Sequence, residues 1–271
     1  MDFGSLADVL IRLVLGSGIG FIIGMTGIGA GVLLLPSLIY IIGLSPVYAV
    51  GTGLLYAMLA RAYGVYEHLR LHTVRKRTAF YIILGGVPAV LATSFVITRL
   101  SKAFGSDLDF ALKIVISVVI LVTWALMLLN LIRHHRGGPQ SYYVPLEEFP
   151  LRRKLYGIAA GVGVGILIGA TSTGGGVLMV PILVTVFRLS PNNTVGTSVL
   201  IGIVMAGLGA FAYLLGGRMN LAVAVTMFAG SVPGVLLGCR ASVKVPHKVL
   251  SAILFAVVTV SMIVMFVGMR Y

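Results

Sequence analysis

Two stretches of this chain place glycine, hydroxyl side chains and a proline-bounded apolar run in the same order. Residues 24–36 read GMTGIGAGVLLLP and residues 169–181 read GATSTGGGVLMVP. The chemistry open to such residues is anion recognition. A helix that starts after a glycine loop leaves its first N–H groups unpaired and carries partial positive charge at that end. Glycine lets a ligand come close to those N–H groups. Thr26 in one copy, and Thr171, Ser172 and Thr173 in the other, add hydroxyl donors beside them. Nucleotide binding does not fit, because no strand, Lys-Ser/Thr pair or acidic ribose partner accompanies the glycines. The plainer role of small residues is tight packing between membrane helices. That role is expected of the scattered Gly16, Gly18, Gly20, Gly161, Gly163 and Gly165.

Other reactive groups are sparse. All seven acids, Asp2, Asp8, Glu67, Asp107, Asp109, Glu147 and Glu148, fall at segment ends or in loops. No carboxylate is therefore expected deep in a span to carry a proton or bind a cation. No His/acid constellation, metal-ligand cluster or nucleophile-with-base pairing sits among the apolar runs, which argues against an enzyme and against a metal or other cofactor. The single cysteine, Cys239, excludes an internal disulfide. Arg61 lies well inside an apolar run near Tyr56, Tyr63 and Tyr66. It has two readings: attraction or gating of an anion at the cytoplasmic mouth, or snorkelling to lipid phosphate, the second slightly favoured. Arg12, Lys113 and Arg188 sit nearer segment ends and are read as snorkelling. Val-Gly-Thr follows each Ser-Pro, and Thr52, Thr197 and Ser198 then fall a turn or two into a helix from which they could face a cavity.

The elements that must position these groups are dictated by solvent. Hydrophobic residues make up 59% of the chain and charged residues only 10%, with a mean hydropathy of +1.09, far from the roughly one-quarter charged share of a soluble domain. Apolar runs recur at residues 6–25, 32–42, 47–66, 79–97, 112–131, 155–170, 177–187, 195–215, 221–237 and 249–267. The expectation is a multi-pass, all-α membrane protein with no soluble domain. The start, MDFGSLADVLIRLVLG, has acids ahead of its apolar run and lacks the cationic leader of a signal peptide, so the first run is expected to stay in the mature protein. The net charge of +13 needs no nucleic acid; topology and attraction to lipids of the inner leaflet account for most of it.

The chain also repeats itself. Gly24 falls on Gly169 at an offset of 145 residues, and the same offset carries Leu44-Ser45-Pro46 onto Leu189-Ser190-Pro191 and Val50-Gly51-Thr52 onto Val195-Gly196-Thr197. It also carries Gly85-Gly86-Val87-Pro88 onto Gly230-Ser231-Val232-Pro233. Each half has five apolar runs, of which the second is too short to cross about 30 Å of hydrocarbon. The first and second runs are therefore expected to form a re-entrant helical hairpin at the glycine loop, followed by three full transmembrane helices. With residues 67–77 cytoplasmic, the inner loops hold twelve Lys/Arg and the outer loops three, Arg99, Lys102 and Arg218. The halves are then inverted-topology repeats, with both termini outside. Secondary transporters recurrently use this plan, with binding where broken helices of the two halves face each other. The organisation reads as a first membrane repeat over 1–132, a basic cytoplasmic linker over 133–154 and a second membrane repeat over 155–271.

Gly-Ile-Gly-Ala-Gly-Val-Leu-Leu-Leu-Pro36 and Gly-Gly-Gly-Val-Leu-Met-Val-Pro181, each followed by Ser-Pro and Val-Gly-Thr, resemble the sulfite exporter TauE/SafE family over nearly the whole chain. Ala30 departs from the triple glycine usual in the first copy. The resemblance implies a permease of the bacterial inner membrane that moves sulfur-containing oxyanions such as sulfite, sulfoacetate or other organosulfonates, usually outward. It places Gly29, Gly31, Gly174, Gly175 and Gly176 at the substrate, with Thr26, Thr52, Thr171, Ser172, Thr173 and Thr197 around it. The implied partners are a small anionic substrate and membrane lipids, with a homodimer left open. The alternatives are an anion channel, a structural membrane subunit, or an uptake permease for another anionic nutrient.

Overall fold

The computed structural model describes residues 5–26, 31–70, 72–135, 151–172, 179–242 and 247–268. Among them every regular element is helical, in the order α1 (Leu6–Thr26), α2 (Gly31–Pro36) continued by a π-helical turn (Ser37–Ile41), α3 (Pro46–Arg70), α4 (Lys76–His135), α5 (Leu151–Thr171), α6 (Met179–Thr185), α7 (Pro191–Leu215), α8 (Leu221–Ser242) and α9 (His247–Gly268). Among the described residues, five helical stretches are long and apolar enough to cross a bilayer, and 39 large apolar side chains, such as Leu6, Phe80, Leu155 and Val267, are exposed on the outside. The chain is a multi-pass membrane protein.

Helix starts follow local chemistry. Ser5 and Asp8 form a reciprocal capping box: the Asp8 N–H donates to Ser5 Oγ at 3.3 Å and the Ser5 N–H donates to Asp8 Oδ2 at 3.0 Å. Proline opens α3 and α7 at the first helical position. Ser190 has the extended backbone of an N-cap but makes no side-chain capping bond. At α3 the cap comes from elsewhere, since Asp109 Oδ1 accepts the Val47 N–H at 3.3 Å. As a straight rod the 60 residues of α4 would reach about 90 Å, three bilayer cores. It is broken at Gly105, whose φ of 41° and ψ of −110° are not helical. The basic residues Arg152, Arg153 and Lys154, read from sequence as linker, already belong to the first turn of α5.

The repeat reappears in element bounds. The ends of α1 and α5 are 145 residues apart, as are the ends of α3 and α7 and the starts of α4 and α8. Turn residues with positive φ obey it too, Gly43 with Arg188 and His72 with Gly217. Packing exchanges the partners. Helix α1 lies along α8, and α5 along the first arm of α4. A Cβ added to Gly16, Gly20 or Gly24 would overlap the backbone of Met227, Ser231 or Val235, and one added to Gly161, Gly165 or Gly169 would meet Ile82, Gly86 or Val90. Both series increase together, so each pair is parallel, with backbones in near contact along a four-residue stripe. Gly18 and Gly163, expected to share this packing, have open space beside them; two residues along a helix is the opposite face.

Helices α3 and α7 cross in the centre. Gly51 faces Tyr213, Leu54 faces Gly209, Met58 faces Gly207 and Arg61 faces Gly202, a descending series that makes this equivalent pair antiparallel. One end of the molecule therefore carries the starts of α1, α3 and α8, and the other the starts of α4, α5 and α7. After α6 the chain is back at the start of α5, where Phe187 packs within 3.3 Å of a Cβ built on Gly157. The second short segment thus returns to the end from which α5 set out.

Candidate functional site

The hydroxyl of Ser172 ends α5 where the second glycine loop begins. Its backbone is left-handed, with φ 53°, a conformation costly to a residue with a Cβ. The side chain is 4% exposed, and its Oγ has no hydrogen-bond partner among the described residues. It lies against Gly53 of α3, whose added Cβ would sit 2.9 Å from Ser172 Oγ and 3.4 Å from Leu34 of α2. Helices α2 and α3 of the first half thus meet the end of α5 of the second. An unpaired buried hydroxyl costs about 1–3 kcal/mol.

Neighbouring candidates behave differently. Thr171 is buried but its hydroxyl donates to Leu167 O at 2.7 Å, within its own helix. Gly31 is buried as the first residue of α2. Thr26 closes α1, its side chain outside the described residues. Gly29, Thr173, Gly174, Gly175 and Gly176 also lie outside the described residues.

Thr52 and Thr197 have a role that the Val-Gly-Thr motif alone did not disclose. Thr52 Oγ1 accepts the N–H of Asn220 at 3.0 Å, and Thr197 Oγ1 accepts the N–H of Arg75 at 3.0 Å. Each therefore satisfies a backbone donor just ahead of α8 or α4, the helix of the opposite half. The preceding glycine makes room: a Cβ on Gly51 would strike the Arg218 carbonyl, and one on Gly196 the Thr73 hydroxyl, with the Thr73 carbonyl next. Around the second junction Arg75 forks onto Asn193 Oδ1 at 3.0 and 3.1 Å, with the Asn193 amide oriented so that its nitrogen donates to Thr73 O. Around the first, Arg218 stacks 5.7 Å over the Tyr48 ring and donates to Ser101 O at 3.3 Å. Ser198 turns its hydroxyl to Val195 O at 2.8 Å in its own helix.

Arg61 does not snorkel towards the nearer end of its helix. Its guanidinium turns back along α3, donates to Ala57 O at 3.5 Å and lies against Gly202 of α7, 3.1 Å from a Cβ built there. It is thus a cation held between the two central helices. Neither helix carries an Asp or Glu other than Glu67, six residues on in sequence.

Four further buried hydroxyls lack partners among the described residues: Tyr56 on α3 and Thr78, Ser94 and Thr123 on α4. Ser94 Oγ lies 3.2 Å from a Cβ built on Gly169, whose carbonyl accepts the Tyr213 hydroxyl at 2.9 Å. Single hydroxyls in apolar runs carry no periodic signal, so only packing reveals them. At the end where α7 finishes, Phe95, Thr98, Arg99, Lys102, Leu215 and Gly216 line a cavity of about 300 Å³ that holds two cations.

Comparison with known proteins agrees with a membrane protein. The family model described as sulfite exporter TauE/SafE matches residues 12–265. The chain is 26% identical over 250 residues to the probable membrane transporter protein YjnA of Bacillus subtilis, covering 92% of this chain and 96% of that protein. It is 26% identical over 258 residues to YunE of the same organism, also a probable membrane transporter, covering 90% and 92%. A probable membrane transporter of Xylella fastidiosa is 24% identical over 237 residues, covering 86% and 85%. No solved structure gives a significant match. With a match over almost its whole length, and with relatives that are transporters and not enzymes, the chain belongs to the sulfite exporter TauE/SafE family of membrane transporters.

Proposed function

We propose that this protein exports small sulfur-containing oxyanions, such as sulfite, sulfoacetate or other organosulfonates, across the bacterial plasma membrane. The observation that carries the reading is Ser172: a buried, unpartnered hydroxyl in a left-handed backbone, at the mouth of a Gly-Gly-Gly loop and against the first half's short helix. In this reading the N–H groups of Gly29, Gly31 and Gly174–Gly176 bind the oxyanion, and Thr26, Ser172 and Thr173 hydroxyls donate beside them. Thr171, Thr52 and Thr197 hold the surrounding backbone, and Arg61 supplies positive potential from the α3–α7 crossing.

The halves act as inverted repeats. The antiparallel α3 and α7, and the exchange of α1–α8 for α5–α4, support this arrangement. The twelve-to-three charge bias supports a cytoplasmic position for the end where α4, α5 and α7 begin, with both termini periplasmic. The Arg99 and Lys102 cavity then opens on the outer face, where two cations favour an anion leaving the site. No carboxylate is available deep in a span for coupling. With the cell interior negative, expulsion of each negative charge gains about 2.3 kcal/mol per 100 mV, enough to drive efflux.

The test is a flux panel in proteoliposomes with sulfite, sulfoacetate, taurine, sulfate and acetate, clamped at several potentials with potassium and valinomycin at equal pH. Saturable sulfite or organosulfonate efflux that rises as the interior is made more negative is expected. Transport of carboxylates alone contradicts the substrate class. Conductance far above carrier turnover makes the protein a channel. Cysteine labelling at His72 and Ser141 in a Cys239→Ser background tests the topology, which a periplasmic label at either site defeats.

A further inference from the structure

Between the starts of α4 and α5 a second basic cavity opens, remote from the glycine loops. It measures about 520 Å³ and is lined by Lys76, Arg77, Phe80, Tyr81 and Lys154. Lys154 Nζ stands 5.8 Å over the Tyr81 ring, and Phe80 meets Tyr81 edge to face at 5.6 Å. Three cations thus converge on one recess with an aromatic floor, and none of the five lining residues is acidic.

Two observations identify what would fill it. The first is the surface that continues from the cavity along the two helices. Phe80 and Leu84 of α4 are 59% and 51% exposed, and Leu155, Val162 and Ile166 of α5 are 58%, 39% and 46% exposed. A soluble anion needs only the cations. A molecule with a charged head and hydrocarbon tails matches the whole feature, with tails along the apolar strip and head in the basic recess. The second is the equivalent helix pair, α1 and α8. The 145-residue offset puts Leu221, Ala222, Val225, Thr226 and Val9 where this groove has Lys76, Arg77, Phe80, Tyr81 and Lys154. The repeat therefore sets charge and aromatic rings at these five positions of one helix pair and neither at the five equivalent positions of the other.

We infer that the α4–α5 groove is a binding site for an anionic phospholipid, its phosphate held by Lys76, Arg77 and Lys154 and its acyl chains lying on Phe80, Leu84, Val162 and Ile166. The site rests on neither the substrate nor the transport direction proposed above. It fixes a lipid across the seam between first and second halves, since α4 and α5 come from different repeats.

The test uses the full chain in neutral detergent, followed by thermal unfolding and by native mass spectrometry of retained lipid. Phosphatidylglycerol and cardiolipin should raise the unfolding temperature and remain bound at concentrations where phosphatidylcholine does neither. Replacing the three cations together (K76Q, R77Q and K154Q) should weaken binding on the order of a hundredfold, about a factor of five for each basic residue that holds the phosphate in the recess. An equal loss of charge outside the groove (R70Q, R152Q and R153Q) should weaken it no more than a fewfold. Should the triple variant fold poorly, Lys154→Gln alone should cost about fivefold. The inference is overturned if both triple variants lose lipid equally, which would mean diffuse attraction to a basic end. It is also overturned if inorganic phosphate stabilises as well as phosphatidylglycerol, which would mean a soluble-anion site, or if no anionic lipid is retained.

Discussion

The two halves of this transporter are equal where one grips the other and unequal where they face lipid or the candidate site. Thr52 and Thr197 accept equivalent backbone N–H groups of the opposite half, and Gly20 and Gly165 admit equivalent backbones. Elsewhere the same offset sets Arg61 against Ala206, Ser172 against Gly27, and Lys154 against Val9. A duplicated chain must keep its joints, because each joint serves backbone donors or near-contact backbones that tolerate little change. Positions that meet a ligand or a leaflet are free to diverge, and a transporter with two different ends gains from doing so. The unequal positions are therefore where function is to be sought.

The joints are the place to break the fold. Replacing Gly20 or Gly165 by Leu drives a side chain into Ser231 or Gly86 backbone. Either should cost at least about 1–3 kcal/mol, enough to remove most folded protein from the membrane by fluorescence-detected gel filtration. Gly18→Leu and Gly163→Leu, with open space beside them, should leave that profile intact.

Thr52→Val and Thr197→Val come next. Each strands a backbone N–H of the partner half, for a loss of about 1–3 kcal/mol in unfolding stability. If the joints are equal the two losses should match within about 0.5 kcal/mol, and the double variant should lose their sum.

Among unequal positions, Arg61→Gln should raise the half-saturation concentration for the anion severalfold and leave thermal stability within about 1 kcal/mol, while Arg61→Lys should retain much of the activity. The smallest effect is expected at Arg188, which sits at φ 50° where its equivalent is Gly43 at φ 77°. Arg188→Gly should stabilise by up to about 1 kcal/mol, measured as a higher unfolding temperature.

Much of this comparison was legible in the sequence. The ungapped offset that aligns Gly24 with Gly169 is the same one that aligns helix ends, because glycine, proline and Ser-Pro punctuate backbones wherever they occur. The glycine stripes were legible as packing, but their facing was not: Gly18 and Gly163 differ from Gly16 and Gly161 only in which side of the helix they occupy. The Val-Gly-Thr motif looked like cavity lining because its partner is 168 residues away, from Thr52 to Asn220, and no local pattern announces such a bond. For Arg61 the sequence left anion attraction and snorkelling both open, the second slightly favoured; its actual course depends on Gly202, which leaves room on α7 for a guanidinium. Thr78, Ser94 and Thr123 gave no signal at all, being unpaired only in context.

The central claim is that Ser172 holds an unpaired hydroxyl for the transported anion. It is tested most directly by sulfite efflux from proteoliposomes, wild type beside Ser172→Ala, with thermal stability measured on the same preparations. The account predicts that Ser172→Ala keeps or gains stability, by up to about 1 kcal/mol, while the half-saturation concentration rises roughly tenfold or more, the loss of one hydrogen bond to a charged group. Unchanged efflux, or a fall in efflux that merely tracks a fall in stability, would contradict it.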